Sequence, residues 1–306
     1  MTGTIYIGIS GWRYKPWRGD FYPEGLKQRQ ELAYASRAVS SIEINGSFYA
    51  LQTPERYADW YAQTPDDFVF SVKAPRYITH VKRLKEIEEP MANFYASGVL
   101  QLKEKLGATL WQFPPSFKYD AERFEQFLSL LPTTWAAARR LARHASRGEP
   151  PAKSELPART PLRHAVEIRH PSFTCVEFVE LLRKYRVALV VADTAGKWPL
   201  LEDVTSDFVY IRLHGDQELY SSGYSDEALS HWAKRIRSWL AGRQPRDAHR
   251  VASAAPPRRS SRDLFCYFDN DIKVCAPYDA RRLLRMLSLA EHLAVVPGEP
   301  ASELPD

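Results

Sequence analysis

Apolar residues in this chain recur in short β-branched runs that alternate with stretches of helical period. Such alternation argues for βα units and a parallel sheet. Eight strands are expected, near 5–10, 41–45, 68–73, 108–113, 165–169, 187–193, 208–214 and 264–269. Helical stretches are expected near 26–38, 54–63, 90–106, 120–131, 174–185, 225–240 and 277–290. Pro54, Pro90 and Pro277 each stand where a helix begins, a position that tolerates a fixed φ and a missing N–H. Only the step from the sixth strand to the seventh lacks a helix, because Trp198-Pro199 interrupts any periodicity between Thr194 and Asp207. This pattern in 306 residues predicts an α/β protein: a single (β/α)8 TIM-type barrel over 1–295 and a flexible tail over 296–306.

The strands are not the continuous apolar runs of an ordinary buried parallel sheet. They read Ile42-Glu43-Ile44-Asn45, Phe70-Ser71-Val72-Lys73, Val166-Glu167-Ile168-Arg169 and Val209-Tyr210-Ile211-Arg212-Leu213-His214. Period-two geometry puts Glu43 with Asn45, Ser71 with Lys73, Glu167 with Arg169, and Arg212 with His214 on common faces. The intervening Ile, Val and Leu residues are expected to face the helices, so the polar set points into the barrel. Gly8, Ser10, Gln112 and Asp193 are read as continuing that set. Interior charges must pair or carry a function, and these crowd the C-terminal strand ends, where barrel active sites are built.

Composition narrows the class. With 44% hydrophobic and 26% charged residues the chain reads as a globular domain. No run of about 18 apolar residues is present, and the N-terminus reads as a strand rather than a leader, so no membrane association and a cytoplasmic location are expected. Cys175, Cys266 and Cys275 form no CxxC pair, which fits a reduced compartment. The net charge of +5 is local. Residues 136–163 and 242–262 are rich in Arg, Ala, Pro and Ser and carry a large positive excess, leaving the remainder mildly acidic. Both follow a helix and precede a strand, so they are expected to be flexible insertions on the N-terminal face, away from Trp12, His80 and His214. Their arginines make nucleic acid a candidate partner.

Gly8-Ile9-Ser10-Gly11-Trp12 with Trp17, Gly19 and Phe21-Tyr22-Pro23 resembles the opening of the YecE-like family, domain of unknown function 72. The likeness continues through Ser41-Ile42-Glu43-Ile44-Asn45 with Phe48-Tyr49, Lys73 with Ile78-Thr79-His80, and Gln112-Phe113-Pro114-Pro115-Ser116. It extends to Glu167-Ile168-Arg169-His170, Asp193, Arg212-Leu213-His214-Gly215 with Tyr220, and Tyr267-Phe268-Asp269-Asn270-Asp271, spanning roughly 5–290 in collinear order. The resemblance implies a TIM-type barrel and supplies no reaction. Its barrel is likened to endonuclease IV and xylose isomerase, an analogy of fold alone. Asp269 stands where the family pattern has Asn, and Lys273-Val274-Cys275 replaces a small, Gly-like stretch.

The charges suggest a site. Glu43, Glu167, Asp193 and His214 are expected to be catalytic, as acids and bases. Trp12, Asn45, Lys73, His80, Gln112, Arg169, Arg212, Tyr220 and Asn270 are expected to bind substrate, with Lys73, Arg169 and Arg212 clamping an anion. Glu43, Glu167, Asp193 and Asp269 or Asp271 are the pocket acids, with His80, His170 and His214 as nitrogen ligands on paper. The cations Lys73, Arg169 and Arg212 among them disfavour a metal, so no cofactor is expected and a divalent ion is the minor alternative. Trp12, Tyr14, Trp17, Phe21, Tyr22, Phe48, Tyr49, Tyr77, Phe113, Trp198, Tyr220 and Tyr224 follow the strands and suggest a cyclic ligand. The leading reading is an enzyme, a hydrolase or isomerase, acting on a small sugar- or nucleotide-like anion. The alternatives are a repair-associated nucleic-acid-binding barrel resembling endonuclease IV, and a small-molecule binder without turnover.

Overall fold

A computed structural model describes residues 3–148 and 156–301, together with Leu304. Eight parallel strands close into a barrel in sequence order. They are β1 (Ile5–Ser10), β2 (Ser41–Ile44), β3 (Val69–Lys73), β4 (Leu106–Gln112), β5 (Arg163–Glu167), β6 (Ala188–Asp193), β7 (Phe208–Leu213) and β8 (Asp263–Phe268). The helices are α1 (Glu31–Ala38), the single turn α2 (Gly46–Tyr49), α3 (Pro54–Gln63), α4 (Glu88–Ala96), α5 (Ala121–Leu130), α6 (Trp135–Ala142), α7 (Val176–Tyr185), α8 (Asp226–Leu240) and α9 (Cys275–Met286). Among the described residues no helix is long and apolar enough to cross a membrane.

Strand alternation sorts the side chains into two layers. Ile7, Ile9, Ile42, Ile44, Val166, Ile168, Val209, Ile211 and Leu213 join the apolar layer under the helices, with Ile5 at its edge. The barrel interior holds Val69, Ala108, Leu110, Ala165, Ala188, Val190, Phe208, Tyr210, Phe265 and Tyr267. Tyr6 stacks on Phe265 at 5.0 Å, so aromatic rings plug the N-terminal end. Gly8 lies where β1 presses on β2: a Cβ there would come within 1.6 Å of the Ser41 carbonyl oxygen. As expected, β6 and β7 are joined without a helix.

The basic insertions are more ordered than their composition suggests. Within 136–163 the structure has α6, capped by Thr134, whose hydroxyl accepts from Ala137 N at 3.3 Å. Trp135, Ala138 and Ala142 form its buried stripe, packed against α4. The arginines occupy the other face and mask this short amphipathic pattern. Ser146 N and Arg147 N both donate to Asn93 Oδ1 at 2.9 Å. Arg147 lines a pocket of about 610 Å³ with Phe48, Tyr49, Tyr77 and Ile78. This part of the insertion therefore reaches the loops after β2 and β3, which corrects its expected remoteness. Residues 149–155, including Lys153, lie outside the described residues.

The second insertion, 242–262, has no helix or strand but is tied to the β6–β7 connection. Asp203 accepts from Val251 N and Ala252 N at 2.8 and 3.0 Å, and Glu202 accepts from His249 N at 2.8 Å. Its Arg262 is buried. The segment read as a tail is also fixed in part: Tyr34 Oη donates to the carbonyls of Val296 and Glu299, and Gly298 N donates to Phe21 O. Residues 302, 303, 305 and 306 are outside the described set.

Trp135→Ala should lower unfolding free energy by about 3–5 kcal/mol, the range for deleting a buried aromatic side chain. Urea denaturation checks this; a loss below about 1 kcal/mol would mean that α6 is a dispensable appendage rather than part of the helix layer.

Candidate active site

Above the aromatic plug, β7 delivers Arg212 to the barrel axis, and that side chain is fully buried. Its Nη1 donates to Glu167 Oε2 at 2.6 Å, and its Nη2 donates to Glu43 Oε1 and Asp269 Oδ2, each at 2.9 Å. Register explains the convergence. Glu43 pairs across β1–β2 with Ser10 and across β2–β3 with Ser71; Gln112 pairs with Glu167. Ser10 Oγ and Tyr210 Oη complete the Glu43 carboxylate at 2.8 and 2.6 Å. Arg169 Nε takes the remaining Glu167 oxygen at 2.8 Å. Below, Tyr267 Oη donates to Ser71 Oγ at 2.8 Å and lies 2.7 Å from Ser41 Oγ.

Charge pairing decides the protonation states. Burial alone would raise the Glu167 carboxyl, but Arg169 and Arg212 outweigh it and hold it well below the ordinary carboxylate range. Asp269 is likewise raised by burial but held far below its usual value by Arg212 and His214. Arg212, which burial would favour neutral, is kept charged by Glu43, Asp269 and Glu167. His214 is pushed down by burial and then by Arg212. Its Nδ1 lies 3.0 Å from Asp269 Oδ2 and its Nε2 is 3.5 Å from Arg212 Nη1. Burial and Arg212 both act against the charged ring, and Nδ1 faces Asp269 without an aligned hydrogen bond. Glu167 is thus a fixed anion, not a proton donor.

The groups that titrate nearer neutrality surround this floor. Lys73 is pushed down to about 8 by burial and by Arg212. Its Nζ sits 4.3 Å over the Phe48 ring and makes no ion pair with any described carboxylate. His80 is lowered to about 4 by burial, then by Lys73, Arg76 and Arg169. Asp271 is raised to about 8 by burial and by the neighbouring Asp269, and its Oδ1 is buried without a hydrogen-bond partner. Trp198 stacks on the Arg169 guanidinium at 3.9 Å, and the Tyr220 ring packs edge-on against His214 at 5.3 Å.

The expected site residues therefore separate into groups. Glu43, Glu167, Arg169, Arg212 and His214 form one interaction network; Lys73, His80 and Tyr220 are placed around it. Gln112 is buried on β4 beside Glu167. Trp12 and Asn45 instead line a neighbouring pocket of about 460 Å³ with Tyr14, Tyr49 and Arg56. Asp193 is a correction. On β6, Leu189 and Val191 face the helices while Val190 and Ala192 face inward, so Asp193 takes the outward phase. Its carboxylate accepts from Tyr224 Oη at 3.0 Å rather than joining Arg212. Asn270 is another: it is fully buried and its amide donates to Ser222 O and Asp279 Oδ2, both at 2.9 Å.

Asp269, which belongs to the network, and Asp271 beside it both follow β8, while Asn270 between them bonds Ser222 and Asp279. Much of the aromatic set serves as packing: Trp12, Trp17, Phe21, Tyr22, Phe48, Phe113 and Tyr224 are buried, whereas Tyr49 and Tyr77 are exposed at the rim. Among the described residues no group of three or more His, Cys, Asp and Glu side chains is arranged to hold a metal ion.

Arg212→Met should cost about 3–5 kcal/mol at pH 7, because it leaves buried carboxylates without their counter-charge. Their folded pKa values would then rise above the unfolded ones, so the variant should gain stability as pH falls toward about 4. The parent, with Glu167 and Asp269 depressed, should keep this contribution above about 4 and lose it only below. Urea midpoints at pH 7 and 4.5 test this: these groups should leave the parent nearly unchanged across the interval while the variant gains stability; the same change in both would contradict the assignment.

Sequence relatives agree with this architecture. The family model described as "Protein of unknown function DUF72" matches residues 6–304. The UPF0759 protein YunF of Bacillus subtilis (strain 168) is 34% identical over 121 residues, 37% of this chain and 41% of its own length. The UPF0759 protein YecE of Escherichia coli (strain K12) is 28% identical over 170 residues, 55% of this chain and 50% of its own. The chain thus spans about half the length of the curated relatives it matches. A DUF72 family protein from Thermotoga maritima MSB8 superposes with a TM-score of 0.70 at 27% identity, covering 93% of this chain and 99% of that one. One from Enterococcus faecalis V583 gives 0.64 at 16% identity, covering 94% and 98%, a likeness of fold. By the match across nearly its whole length, the chain belongs to the DUF72 family.

Proposed function

We propose that the protein is an enzyme that binds a small, polar, anionic ligand at the C-terminal mouth of the barrel and acts on it by proton transfer. One observation carries the reading: Lys73, Arg76 and Arg169 all bear on His80, and with Arg212 they set four cations against the three carboxylates Glu43, Glu167 and Asp269. The floor's carboxylates are committed to Arg212, whereas Lys73 and the exposed Arg76 are not. That excess of positive charge favours a phosphate or carboxylate. Trp198, Tyr220 and the exposed Tyr77 offer ring faces to a cyclic sugar- or nucleotide-like body.

The proton chemistry moves away from Glu167. Arg169 and Arg212 make Glu167 a poor acid, and its role is to hold Arg169 in place. Asp271, raised to about 8 beside an ionised Asp269, has the split environments of an acid–base pair. Hydrolysis or isomerisation both fit such a pair. The remaining basic residues of the second insertion lead into β8 at its N-terminal end, so a polyanion gripped there would lie away from Lys73; the small-ligand reading is preferred on that ground.

Thermal-shift screening against sugar phosphates, nucleotides and short carboxylic acids tests the reading. A stabilising anion should lose about 10- to 100-fold in affinity in Arg169→Ala, since a charged hydrogen bond is worth about 1.5–3 kcal/mol. Arg56→Ala, in the neighbouring pocket, should leave it unchanged. Unchanged affinity in Arg169→Ala would overturn the placement. Dialysis against a chelator should not alter the shift; loss followed by recovery with zinc or manganese would install a metal mechanism instead.

A further inference from the structure

We propose that Lys73 is an imine-forming nucleophile, and that the ligand class is a carbonyl compound carrying a phosphate or carboxylate. The proposal rests on the anion site inferred above and gives its lysine a covalent role. Arg169 and Arg212 each have a carboxylate partner, but Lys73 has none among the described residues. It is nevertheless buried, at 8% exposure, with its Nζ over Phe48. Its backbone carbonyl accepts from Ser47 Oγ at 2.7 Å, and Ala74 N donates to Leu110 O at 2.9 Å, which anchors the strand end. The amine is therefore carried on a fixed element while its head remains uncommitted.

Glu43, Glu167, Arg212 and Asp269 act on Lys73, and the balance with burial lowers its proton affinity. A desolvated lysine next to another cation supplies a larger fraction of free amine near neutral pH than a surface lysine does. Arg76 and Arg169 add positive charge around His80 on the same rim, where the ligand's anionic group would sit. The amine lone pair would attack the carbonyl carbon, forming a C–N bond as the carbonyl oxygen takes up a proton. The oxygen then leaves as water: one of its hydrogens comes from the amine and the other from solvent. The product is a protonated imine, with no change of net oxidation state and no further reactant.

Pyridoxal 5′-phosphate, a cyclic aldehyde bearing a phosphate, is a direct probe, followed by borohydride reduction and peptide mapping. At pH 7.5 and equimolar probe, labelling at Lys73 should exceed that at Lys82 at least tenfold. Labelling should fall at least tenfold with pyridoxal, which lacks the phosphate, and should be competed by inorganic phosphate. Lys73→Arg should remove this label with the near-UV circular dichroism preserved. If that variant misfolds, the pyridoxal comparison and phosphate competition on the parent chain still decide. Label distributed by surface exposure, with Lys73 unmodified, overturns the proposal. If phosphate still stabilises the parent chain in that case, only the imine step fails; if it does not, the anion-site reading fails too.

Discussion

One buried guanidinium organises the upper half of this barrel. Arg212 donates to Glu43, Glu167 and Asp269, three acids that no parallel sheet could bury unpaired. Each comes from a different strand or strand end, so the network ties β2, β5 and β8 to β7 across the barrel axis. Glu43 and Glu167 in turn fix Ser10, Tyr210 and Arg169. The rings of Tyr6, Phe265 and Tyr210 and the small Ala108, Ala165 and Ala188 fill the lower half, with the Arg163–Asp263 ion pair at its end. The interior is therefore mainly apolar below and ion-paired above.

That pairing determines what the mouth can do. A carboxylate held by arginine cannot serve as a neutral-pH acid, which removes Glu167 from the donor role despite its central position. Lys73 and Arg76, which form no ion pair with these carboxylates, add positive charge beside His80. Asp271, beside Asp269, adds a carboxyl raised to about 8 by burial and by that neighbour. Fixed ion pairs below and adjustable groups above make a site with a rigid base and a chemically responsive rim.

Alternation made the barrel and most of its polar interior legible. In β2, β5 and β7, isoleucine, valine and leucine at every second position assign the phase, and Glu43, Glu167 and Arg212 follow inward. In β6 the run Ala188-Leu189-Val190-Val191-Ala192 is apolar throughout and carries no phase. The pairing of Ala192 with Arg212 and Asp193 with Leu213 sets it instead, turning Asp193 outward. Alternation also ends with the strand, so it could not sort Asp269 and Asp271 from Asn270. Trp135, Ala138 and Ala142 have helical spacing, but arginines between them gave α6 the composition of a loop. Val274 adopts φ +58° at the start of α9, a conformation in which a β-branched residue is strained.

The pairing of three carboxylates to Arg212 is tested most directly by carbon-13 NMR of the side-chain carboxyl groups during acid titration of the native protein. The Glu167 and Asp269 signals should show no protonation step near pH 4, the ordinary carboxylate range, and should shift only well below it or with acid unfolding. Midpoints near 4 for both carboxyls in the folded protein would contradict the account.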